Sequence, residues 1–127
     1  MTTIATALTE LGVTEWVLRG EPTTEAEFTE MFRKVTGADA NGTAIESSDP
    51  NDWGTTWAAV SAKRDELIAA QPLKELRAER DRLIAATDWW ASSDLTMTAE
   101  QTAYRQALRD ITDTYTSLDD VVWPTKP

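Results

Sequence analysis

The sequence predicts a mainly α fold of the α+β kind. Its C-terminal part forms an antiparallel helical hairpin closed by an extended Trp-Pro tail. Its N-terminal part holds one amphipathic helix and a short strand pair. Three observations carry this. Apolar residues recur at spacings of three and four over several stretches, two Thr-x-x-Glu/Gln capping signatures precede such stretches, and two prolines punctuate the last residues. At 127 residues the chain has the usual size of one domain. Gln71-Pro72 divides it into an N-terminal α+β region, 1–71, and a helical hairpin with tail, 72–127.

Ile4, Leu8 and Leu11 form a short helical stripe that stops at Gly12, a suitable residue just past a helix end. Val13 to Arg19 contains Val13, Trp16, Val17 and Leu18 and is closed by Gly20 and Pro22, which reads as a strand. Thr24 with Glu27 is a capping box, and Phe28, Met31, Phe32 and Val35 then follow at i, i+3, i+4 and i+7, predicting an amphipathic helix that ends near Gly37. Asn41-Gly42 marks a tight turn, and the Thr43-Ala44-Ile45 run after it is expected to pair with the Trp16 strand. Asp39, Asn41 and Glu46 lack the spacing of a calcium loop and read as a solvated turn.

Asp49-Pro50-Asn51-Asp52 has the marks of a helix start, continued by Trp53, Trp57, Val60, Leu67 and Ile68, with Gly54 weakening the first turn. Gln71-Pro72 predicts a break, because proline disfavours helical geometry in the residue before it. Leu73, Leu76, Leu83 and Ile84 carry the next helix to about Trp90, and pairs such as Arg77 with Asp81 mark its solvated face. Thr98 with Gln101 caps a last helix through Tyr104, Ala107, Leu108 and Ile111, and Trp123-Pro124-Thr125-Lys126-Pro127 closes the chain in extended form.

Composition removes whole classes of function. The chain holds neither cysteine nor histidine, so disulfide, thiolate and imidazole chemistry and the corresponding metal ligands are excluded together. A net charge of −10 repels a phosphate backbone and an anionic membrane alike, and no apolar run approaches the ~20 residues of a membrane span. The acids, Glu25, Glu27 and Glu30 among them, have no nucleophile or phosphate loop beside them and read as solvating charges. These residues predict a non-enzymatic protein with no cofactor and no metal. Met1-Thr2-Thr3-Ile4 lacks the basic and apolar stretches of a secretion signal, so residence in a cytoplasm is expected.

Several motifs in order give the C-terminal half a more specific character. They are Leu76-Arg77-Ala78-Glu79-Arg80-Asp81-Arg82-Leu83, then Thr87-Asp88-Trp89, then Tyr104-Arg105-Gln106-Ala107-Leu108-Arg109-Asp110-Ile111, and finally Trp123-Pro124-Thr125-Lys126-Pro127. Together they resemble the phage tail assembly chaperones and related tail-fibre assembly proteins. Gln101 stands where members often carry an aromatic, and Thr112 where a proline is usual. The first 71 residues resemble the N-terminal part of small tail-associated proteins of phages of marine cyanobacteria, through Gly12-Val13-Thr14-Glu15-Trp16 and Met31-Phe32-Arg33-Lys34-Val35-Thr36-Gly37.

The resemblance implies a protein that binds a phage tail or tail-fibre protein in the host cytoplasm and assists its assembly. The other reading it allows is a permanent adaptor or fibre segment of the virion tail. A second copy of the chain is the further partner left open. The partner-binding candidates are Trp90, Tyr104, Arg105, Arg109, Trp123 and Pro124, aromatic and arginine anchors of the kind that dominate interfaces. Of the adjacent Trp89 and Trp90, about 100° apart on a helix, Trp89 is read as core and Trp90 as the exposed contact. Tyr104, Arg105, Arg109 and Asp110 fit either a recognition patch or a set of structural ties, with ties preferred. The Trp123 tail fits either packing on the hairpin, which is preferred, or an outward polyproline-like ligand.

Overall fold

The computed structural model describes residues 2–127. Among these, five α-helices and a three-stranded antiparallel sheet make a mixed, mainly helical fold. The chain divides into two compact units, Met1–Ala69 and Ala70–Pro127.

In the first unit, helix α1 (Ile4–Glu10) is capped by the Thr3 hydroxyl, which accepts from the Thr6 N–H, and Gly12 follows with φ +78°. Its Ile4, Ala7 and Leu8 are buried. Strand β1 (Trp16–Leu18) is shorter than expected. Helix α2 (Glu25–Met31) begins where Thr24 accepts from the Glu27 N–H. The Glu27 carboxylate accepts from the Thr23 hydroxyl at 2.7 Å, which holds it below the usual carboxylate range.

The expected helix through Val35 does not form. It stops at Met31, and Phe32–Ala38 is strand β2. Three causes are visible. The Arg33 guanidinium donates to the Thr29 carbonyl at 2.9 Å and the Phe32 carbonyl at 2.6 Å, satisfying an acceptor of the last turn. The Arg19 N–H takes the Met31 carbonyl. Val35 and Thr36 are β-branched and favour a strand. The helical spacing of Phe28 and Phe32 instead serves a stacked ring pair, with centroids 4.7 Å apart.

Strand β3 (Ala44–Ser47) pairs with β2, not with the Trp16 strand as the sequence suggested, and the sheet order is β1-β2-β3. The Asn41-Gly42 turn joins β2 to β3, with Gly42 at φ +80° and the Asp39 carboxylate accepting from the Asn41 and Thr43 N–H groups. That carboxylate is thereby committed to its own turn. An extra residue between Val35 and Gly37 shifts the register, and a 2.7 Å ion pair links Arg19, just after β1, to Glu46 of β3.

Asp49 and Pro50 open only a single 3₁₀ turn, Pro50–Asp52, because Gly54 then takes φ +71° and interrupts the chain. Helix α3 starts at Trp57 and runs to Ala85, with the Thr56 hydroxyl accepting from the Ala59 N–H. Trp53, released from the helix, stands edge-on to both Phe28 and Phe32 at 5.3 and 5.1 Å. It completes a core with Ile4, Ala7, Leu8 and Val60.

The break expected at Gln71-Pro72 is absent, since Pro72 lies inside α3. Proline forfeits one helical hydrogen bond, but its neighbours Ala69, Ala70, Gln71, Leu73, Lys74 and Glu75 are strong helix formers, and the Gln71 amide bridges to Glu75 at 3.1 Å. On the solvated face the pairs formed are Arg82 with Glu79 and Arg80 with Asp81, in place of Arg77 with Asp81.

In the second unit, α3 ends at Ala85, before the expected Trp90, and Asp88–Ala91 forms a 3₁₀ turn. Helix α4 (Ala99–Arg109) opens with the complete Thr98/Gln101 capping box, and α5 (Ile111–Thr114) follows after Asp110. Trp90, Tyr104 and Leu108 form the buried cluster, joined by Leu83, Ile84, Met97 and Trp123. Residues 121–127 contain no regular element. No helix among the described residues is long and apolar enough to cross a membrane.

Candidate functional site

The capping box fixes where α4 begins, and thereby which residues share a face. Glu100, Ala103, Tyr104 and Ala107, at i, i+3, i+4 and i+7, lie along one side of the helix. Pro124, Thr125 and Pro127 of the tail stand opposite, and the two runs bound an open groove of about 430 Å³, within the ~300–1,000 Å³ of typical ligand sites. Ala103 and Ala107 are exposed and small, so an incoming chain can approach the helix backbone closely. The tail is held at two points. Trp123 packs into the buried cluster, and the Lys126 ammonium lies 5.7 Å from the centre of the Trp90 ring, a cation–π contact.

Arg105 anchors the helix from its other side. Only 5% exposed, it donates to the Ile84 carbonyl at 3.1 Å, the Thr87 hydroxyl at 2.8 Å and the Asp88 carboxylate at 3.0 Å. Its Nε is buried without a partner. These bonds tie α4 to the end of α3 and to the 3₁₀ turn.

The six sequence candidates therefore separate. Tyr104 and Pro124 line the groove. Trp90 and Trp123 support it from the cluster beneath. Arg105 is a structural tie, while Arg109 is exposed and has no ion pair among the described residues. The reading of the tryptophan pair is reversed: Trp90 is 5% exposed and Trp89 62%. Because α3 ends at Ala85, the phase of a continued helix does not apply, and the 3₁₀ turn brings Trp90 onto Tyr104, with centroids 6.0 Å apart.

Glu100, Ala103, Ala107, Thr125 and Pro127 are not among the partner-binding candidates read from sequence. The available signal was two alanines at a helical spacing beside a tyrosine, which looks like ordinary helix filler. A smaller pocket of about 240 Å³ lies in the first unit beside Trp57, Thr29 and Asn51. Among the described residues, no group of acids gathers closely enough to hold a metal ion.

The groove lies on a small helical unit and is apolar along most of its length. Residues 73–127 match the family model described as "Phage tail assembly chaperone protein". The C-terminal part of the chain, which contains every residue of the groove, is thus similar to that family. No curated protein and no solved structure matches the chain.

Proposed function

We propose that this protein is a non-enzymatic phage tail assembly factor that binds a tail or tail-fibre protein in the host cell, using the groove between α4 and the Pro124–Pro127 tail. The observation that carries the reading is coincidence: the family match at 73–127 falls on the compact unit 70–127, and that unit holds the groove. A chaperone must shield apolar surface without retaining it. An open groove with few polar contacts suits release, because affinity then rests on burying a few side chains such as Ala103, Ala107 and Pro124 over the floor that Tyr104 provides.

Mass spectrometry of washed phage particles, counting copies against a known tail component, tests the role. Absence from particles with abundance in the infected lysate supports the assembly factor. Stoichiometric presence replaces it with a permanent adaptor of the virion tail.

A further inference from the structure

We infer that the groove takes an apolar segment of the partner polypeptide carrying a lysine or arginine, and that Glu100 is the residue that reads this charge. The inference rests on the tail-protein-binding role proposed above and names the chemistry of what binds.

Length is the first consideration. Glu100 to Ala107 advances roughly 10 Å along the helix axis, which suits about three residues of extended chain. The lining is apolar at Ala103, Ala107, Pro124 and Pro127, and Glu100 carries the only charged side chain in it. Among the described residues Glu100 has neither an ion pair nor a side-chain hydrogen bond, so its carboxylate is available to an occupant.

The polar capacity of the walls is biased toward accepting. Pro124 and Pro127 carry no N–H and a carboxylate accepts only, so that of the tail residues lining the groove Thr125 alone keeps a backbone donor. The Tyr104 and Thr125 hydroxyls can act either way. A segment with a cationic side chain supplies donors to this surface. An acidic segment meets a like charge and a wall with little to donate. Lys126, the cation within the tail, has its ammonium over Trp90, and the net charge of −10 steers a basic segment inward over longer range.

The test uses the full chain and an array of overlapping short peptides from the phage's own tail and tail-fibre proteins. Bound peptides are expected to combine an apolar run with a lysine or arginine. Changing that residue to glutamate should weaken binding by at least about tenfold. Glu100→Lys should invert the preference, and Ala107→Trp should abolish binding by filling the groove. Glu100→Gln, which keeps size but removes an acid from the first turn of α4, should weaken the basic peptides by far more than the small drop in melting temperature that losing this helix-end charge brings.

Equal binding of basic and acidic peptides, or retention by Ala107→Trp, overturns the inference, as does self-association of the chain through the groove. Pull-down of each purified tail protein in parallel separates the two levels. If wild type binds a tail protein and the groove variants bind it equally, the inference fails and the assembly role stands. If wild type binds no tail protein and no peptide, both fail.

Discussion

Replacing Arg105 by alanine probes the tie that sets the rotation of α4, and its effect can be worked from the three bonds. Hydrogen bonds to a charged group contribute roughly 1.5–3 kcal/mol each in mutational series, and those to the Ile84 carbonyl and the Thr87 hydroxyl count most because they are shielded. The Asp88 carboxylate is 64% exposed, so that ion pair adds only about 0–1 kcal/mol. Against this stands the buried Nε without a partner, a cost of about 1–3 kcal/mol.

Removing the arginine leaves no new orphan of consequence, since the Thr87 hydroxyl still donates to the Ile84 carbonyl and Asp88 is solvated. The net expectation for R105A, with its lost stem packing, is a destabilisation of about 2–3 kcal/mol. R105M keeps the stem and relieves the Nε, and should cost about 1 kcal/mol or less. Urea denaturation of the full chain, with hydrogen exchange read at the Thr87 and Trp90 amides, measures both. The reasoning is refuted if R105A loses under ~0.5 kcal/mol, the scatter of an ordinary surface change, or if R105M is at least as damaging as R105A.

Three further outcomes are expected. P72A restores a backbone donor inside α3 and should raise stability, by up to ~3 kcal/mol if intrinsic propensity alone decides; a lower melting temperature would show that the proline is doing something the helix needs. T98A removes the hydroxyl that accepts from the Gln101 N–H and should cost about 1 kcal/mol, visible as faster exchange in the first turn of α4. Glu46 and Glu79 are held below the usual carboxylate range, mainly by their hydrogen bonds to Arg19 and Arg82. A depressed folded pKa means that their contribution is complete above the unfolded value of about 4.3 and is lost as pH falls through the lower folded value. Thermal melts from neutral pH down to strongly acid should therefore show a decline that begins in that window, shallower in the E46Q/E79Q double variant.

The sequence was most legible where a side chain satisfies the backbone beside it. Thr98 with Gln101, Asn41-Gly42 and the Gly12 stop each encode their geometry within a few residues, and each is found in place. It was least legible where distant partners decide. Phe28 to Val35 has helical spacing, yet Phe32 is drawn into the sheet by pairing with Leu18 and by the Arg33 side chain capping the helix before it. The adjacent tryptophans illustrate a subtler limit. Geometry says that only one of the pair faces inward, but which one depends on where α3 stops. The groove was half visible: Tyr104 and Pro124 stood out as aromatic and rigid, while the alanines that give it depth looked unremarkable until the tail was seen opposite.

The core of the first unit sets the order of events during synthesis. Ile4 and Leu8 are sealed by Trp53 and Val60, so α1 leaves the ribosome with its apolar face open. It must wait for some fifty more residues, roughly 3–10 s at ordinary translation rates. The buried cluster of the second unit gathers Leu83 to Trp123, mostly over shorter loops with less closure entropy to overcome. The half that is made first is therefore the half whose apolar helix stays open longest to stray association.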